Sequence, residues 1–194
     1  MPRVEVKPWT GSRRDADPNR ALLVLPGMGY TPSMPLLMLP MSALAEMGWN
    51  VWCAAWDLSD VRDDQNALNV TVREAASQLM AAAGDPGEVM VLAKSIGSLA
   101  APWVADKEVP AVWLTPLLNR QEVQAGVGES AAPALLVGGT ADPSWDGCAA
   151  QGFGQQVVEV ADGDHSLFTG EWRVYLDDLR LITERIVTFA NSCY

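Results

Sequence analysis

Short apolar runs alternate along the chain with longer stretches in which apolar and polar residues mix. The runs fall at 21–25 (ALLVL), 49–55 (WNVWCAA), 89–93 (VMVLA), 111–115 (AVWLT), 134–137 (ALLV) and 157–160 (VVEV). They are rich in valine, leucine and tryptophan. Most lack the alternate polar positions of a half-exposed strand, which predicts strands buried on both faces of a parallel sheet. Glu159 interrupts the last run and places it at an edge. Residues 3–7 add a weak strand at one edge, for a mainly parallel sheet of about six or seven strands.

Helices are predicted over 40–47, 71–83, 98–105, 120–125 and 171–191. Pro40 would stand in a first turn, where a missing N–H costs little. Gly48 follows where a terminal glycine is expected. Gly84-Asp85-Pro86-Gly87 stops the second helix. In the last, Leu176, Leu179, Ile182, Ile186 and Phe189 recur at helical spacing. The polar stretch 59–69 reads as a surface loop. Strands alternating with helices imply a three-layer α/β fold with right-handed crossovers. No repeat or linker divides the sequence, so residues 1–194 read as a single domain with an extended segment over 1–20.

Charge narrows the function. Thirteen Lys and Arg stand against 24 Asp and Glu, a net charge of −11. That argues against nucleic acid and against an anionic membrane as partners. The 20 N-terminal residues lack the apolar core of a signal peptide. No apolar run is long enough to span a membrane. Cys53, Cys148 and Cys193 are far apart and His165 is the sole histidine, so no zinc site is expected. Widely spaced thiols suggest a reducing, cytoplasmic setting. Oligomeric state is not legible.

In an open parallel sheet, ligands bind beyond the carboxyl ends of the strands. Pro26-Gly27-Met28-Gly29 follows the first buried run, and Lys94-Ser95-Ile96-Gly97 the third. Gly138-Gly139-Thr140-Ala141-Asp142 follows the fifth, and Asp162-Gly163-Asp164-His165-Ser166 lies just past the sixth. A serine, an aspartate and the histidine thus occur in the order Ser…Asp…His, as in α/β-hydrolases. From about residue 21 to residue 190 the sequence resembles that family, most of all its small, capless, dienelactone-hydrolase-like members. Ala93-Lys94-Ser95-Ile96-Gly97 is similar to the nucleophile elbow G-x-S-x-G, with Ala93 in place of the first glycine. Dienelactone hydrolases proper carry cysteine where Ser95 stands, so the likeness extends to architecture and not to substrate.

The resemblance implies an α/β-hydrolase fold without a large cap domain. It implies a serine hydrolase acting on a small, partly apolar ester or thioester, with no cofactor or metal. Ser95 would be the nucleophile, His165 the base, and Asp142 the residue that orients the imidazole. The backbone N–H groups of Ile96 and Met28, or less favourably Gly29, would hold the oxyanion. Gly29, Tyr30, Trp56 and Trp145 are candidate pocket residues, and the apolar stretch 34–41 is a candidate soft wall.

Other readings stay open. Ser95 could simply cap a helix, and His165 could sit in an ordinary surface loop. Asp57 and Asp146 rival Asp142 as the acid, while Asp162 and Asp164 read as turn formers. Lys94 is either solvated or turned to the pocket. Gly27-x-Gly29 also begins a dinucleotide fingerprint, but Pro32 holds the place of its third glycine. The contrasting function is a non-catalytic binding or scaffold protein on the same fold.

Overall fold

The computed structural model describes residues 3–13 and 15–194. Seven strands form one sheet in the order β1-β3-β2-β4-β5-β6-β7. They are β1 (Val4–Pro8), β2 (Asp17–Leu25), β3 (Trp49–Trp56), β4 (Glu88–Lys94), β5 (Ala111–Leu114), β6 (Ala134–Gly139) and β7 (Gln156–Val160). Only β1 runs antiparallel, pairing with β3 from Val4↔Trp56 to Pro8↔Trp52. The expected weak edge strand is therefore present, and the Glu159-bearing run forms the opposite edge. Of the extended segment expected over 1–20, residues 1, 2 and 14 lie outside the described residues.

The buried runs work as the pattern implied. Ala21, Leu23 and Leu25 of β2 enter one core, and Leu22 and Val24 enter the other. The same alternation holds in β4, β5 and β6. Helices α1 (Pro35–Glu46) and α6 (Trp172–Cys193) cover the second core. Helices α2 (Gln65–Ala83), α3 (Ala101–Lys107), α4 (Gln121–Glu129) and α5 (Gly147–Gly152) cover the first. The result is three layers, helices on both faces of a mostly parallel sheet. No described helix is long and apolar enough to cross a membrane.

The helix starts correct the sequence reading. The first helix begins at Pro35, not at Pro40, which is buried inside it. Pro35 takes the position near the N-terminus that suits proline, and burial of Leu36, Leu37 and Met41 holds the turn around Pro40. The second begins at Gln65, inside the expected loop, because the Asp64 carboxylate accepts the Ala67 N–H and caps it. The segment expected as one helix over 98–105 is a 3-10 stretch, Ser95–Ala100, followed by α3. Helix α4 extends past the expected residue 125, and α5 was not foreseen.

The chain moves from β2 outward to β3, then returns across β2 to β4. The carboxyl ends of β2 and β4 therefore flank the topological switch point, where an α/β sheet opens a crevice.

Candidate active site

At that crevice β4 ends on Lys94, and Ser95 turns the chain with φ at 52°. This left-handed conformation is strained for a side chain with a Cβ. Gly97 makes the turn possible, because any Cβ there would run into the Leu25 carbonyl of β2. Ser98 is fully buried beneath the turn. Its hydroxyl donates to the Ser95 carbonyl at 2.6 Å and accepts the Leu117 N–H at 3.1 Å. Ala93, the departure from the glycine pattern, packs fully buried in the core.

Asp142 follows β6 and is buried. The Ser144 N–H donates to its Oδ1 at 2.8 Å, and its Oδ2 lies 2.7 Å from His165 Nδ1. His165 Nε2 lies 2.7 Å from Ser95 Oγ. The two loops are joined directly, since the Ala141 N–H donates to the Gly163 carbonyl at 3.0 Å. Gly139 is needed for this approach, as a Cβ there would strike that same carbonyl. Beyond the histidine, Asp164 Oδ1 accepts the Ser166 and Phe168 N–H groups at 2.7 and 3.0 Å.

By its sequence Lys94 is either solvated or turned to the pocket, and the structure buries it to 2% exposure. Its ammonium donates to Thr115 Oγ1 and to the His165 carbonyl, both at 3.0 Å. It also stands 4.5 Å over the Tyr30 ring. Burial lowers its pKa to about 8, with Asp142 and Asp164 opposing the shift. It therefore remains mostly charged at neutral pH. Neither this brace nor Ser98 was foreseen. A lysine ending a fully buried strand beside a serine was the available signal.

The cleft over Ser95 has a volume of about 370 Å³ and is lined by residues 27–30, Met34, Lys94, His165 and Ser166. Gly27 and Tyr30 close a tight turn by a bridge, which is not the helix start a dinucleotide fingerprint requires. Met28 borders the cleft. The Ile96 N–H lies in the first turn of its 3-10 helix, where no intrahelical acceptor exists. Gly29 and Tyr30 line both this cleft and a neighbouring hollow, and Trp56 lines only the hollow.

Trp145 stands elsewhere. Its ring covers Gly138, and its Nε1 donates to Glu159 Oε2 at 2.8 Å, beside a separate cleft that includes Cys148 and Gln151. The rival acids are also placed apart. Asp57 Oδ1 accepts from the Ser59 N–H and hydroxyl at 3.0 and 2.6 Å, and Asp146 caps α5 through the Ala149 N–H. Among the described residues, no group of three or more His, Cys, Asp or Glu side chains is placed to hold a metal ion.

No protein-family model matches this chain, and no curated protein matches it. Solved structures do match. Est1E from Butyrivibrio proteoclasticus, with ferulic acid bound, superposes with a TM-score of 0.74 at 13% identity, over 99% of this chain and 96% of its own. A Pyrococcus furiosus esterase gives a TM-score of 0.63 at 12% identity, over 96% and 93%. An α/β serine hydrolase without a lid from Xanthomonas campestris gives 0.57 at 18% identity, over 95% and 87%. The fold is that of the α/β-hydrolases, without a large cap.

Proposed function

We propose that this chain is a serine hydrolase that cleaves small, partly apolar carboxylic esters or thioesters through an acyl-enzyme. The observation that carries the reading is the continuous relay from Ser95 Oγ through His165 to Asp142, with 2.7 Å at each step. A serine hydroxyl is a poor nucleophile until a base removes its proton. As Ser95 Oγ bonds to the substrate carbonyl carbon, its proton passes to His165 Nε2. Asp142 holds the Nδ1–H and stabilises the imidazolium. The carbonyl oxygen, now an anion, accepts the N–H groups of Ile96 and Met28. Each such donor lowers a barrier by about 3–4 kcal/mol. Collapse breaks the ester or thioester bond, and His165 protonates the departing oxygen or sulfur. A water that gives its proton to His165 then attacks the acyl-enzyme. As the bond to Ser95 Oγ breaks, His165 passes that proton to Oγ, which frees the acid and restores the serine.

No step draws on a metal or an organic cofactor. Esterases among the proteins of like fold support hydrolysis. Three free thiols support a reducing compartment, the cytoplasm. The test is turnover of p-nitrophenyl acetate and of an acetyl thioester by wild type and by Asp142→Asn. The substitution should lower kcat by about 10⁴-fold by reversing the histidine tautomer. Full activity in Asp142→Asn would remove the relay from the mechanism. Failure of the wild type on a broad ester panel would favour a binding protein on the same fold.

A further inference from the structure

A second hollow, of about 570 Å³, lies beside the cleft over Ser95. Gly27, Gly29 and Tyr30 line both. Gly27 has no side chain to divide them, and a Cβ built on it would stand 3.5 Å from Ser95 Cβ. We propose that this hollow is the acyl subsite and that it takes an uncharged, ring-bearing acyl group. The proposal rests on the hydrolase reading above.

Direction assigns the hollow to the acyl part. The leaving group must lie beside His165 Nε2 to receive its proton, and His165 follows β7 at one edge of the sheet. The hollow lies on the other side of Ser95, over the ends of β2 and β3 and against β1. The acyl group is the substrate's other arm.

The lining assigns the chemistry. Trp9 and Tyr30 offer ring surfaces, and Pro8, Pro26 and Pro32 add flat apolar ones. Aromatic pairs favour stacked or edge-to-face contact. Cys53 also lines the hollow, but burial pushes its thiol up to about 12, so it serves as a small apolar surface. Lys7 is the charged lining residue. Glu5 stands 3.8 Å from its ammonium and both are well exposed, so it gives an anionic acyl group little hold.

The walls are set before any ligand arrives. The Trp9 N–H donates to the Val51 carbonyl at 2.9 Å, and its ring lies tightly over Gly11. Tyr30 is held by the Leu36 N–H on its hydroxyl at 3.0 Å and by Lys94 on its ring face. Fixed walls reduce the ordering cost of binding.

Two esters with one leaving group test the proposal: p-nitrophenyl acetate and p-nitrophenyl 3-phenylpropanoate. Wild type should favour the second by about tenfold or more in kcat/KM. Half-buried Ala55 lines the hollow. In Ala55→Phe the preference should fall by about tenfold, because the added ring fills the subsite. Trp9→Ala, which removes a wall without crowding the strand, should lower the same ratio. In parallel, uncharged 3-phenylpropanamide is titrated by NMR into Ser95→Ala with and without Ala55→Phe. Saturable binding that Ala55→Phe abolishes is expected. Acetate turnover with no preference for the aromatic ester, or equal loss on both esters, overturns the subsite. So does absence of amide binding. Amide binding lost in Ala55→Phe, with neither ester cleaved, would show a ring-binding hollow but overturn the hydrolase reading, and with it the acyl role.

Discussion

Lys94 places a charge where solvent cannot reach it, directly before the candidate nucleophile. Its ordinary pKa of 10.5 drops to about 8 through burial. Between those values the unfolded chain holds more protons on this group than the folded one. Stability from Lys94 therefore rises as pH climbs from about 8 towards 10.5, and the full burial cost applies below 8. Lys94→Met removes the titration. In urea melts, wild type should gain stability relative to the variant between pH 7 and pH 10. Parallel curves would show that the group does not titrate in this way. The brace also has a positional consequence. Without the ammonium, the His165 carbonyl and Thr115 hydroxyl lose their donor, so the variant should also lose kcat on an ester it still binds.

Among the elements, caps and close approaches separate stability from chemistry. Asp64 caps α2 and does not line the cleft, so Asp64→Ala should cost about 1 kcal/mol of stability with ester turnover unchanged. Gly97→Ala should do the reverse. Its added methyl meets the Leu25 carbonyl, which displaces the turn carrying Ser95, and kcat should fall well beyond the effect on thermal unfolding. Equal losses in both measurements would mean that the turn adjusts. The strands were legible because burial on both faces leaves continuous apolar runs, as at 89–93 and 134–137. The helix starts were less so. Two prolines, Pro35 and Pro40, each suited a first turn, and only the burial of Leu36 and Leu37 decides between them. Asp64 lay within a polar stretch that hid its capping role. The short α5 lacks an apolar stripe to announce it.

Across the whole molecule, the site depends on topology more than on local sequence. Ser95, Asp142 and His165 follow β4, β6 and β7, and a sheet with these strands in parallel brings their ends to one rim. That is why the order of three residue types was readable in the sequence while their distances were not. Asp57, Asp142 and Asp146 all lie near strand ends. Only the fold sends one of them to His165 and leaves the others to a turn and a helix cap. Trp145 follows the same rim in sequence, but Gly138 draws its ring to a different cleft. The short connections beyond the strands leave the cleft without a large cap, so small activated probes should reach Ser95 directly.

The central claim is that Ser95 is an activated nucleophile. Intact-mass analysis after treatment with a fluorophosphonate tests it without knowledge of the substrate. Wild type should gain a single adduct, and Ser95→Ala, folded as judged by circular dichroism, should gain none. Well-folded wild type that stays unlabelled, or a variant that labels equally, would contradict the account.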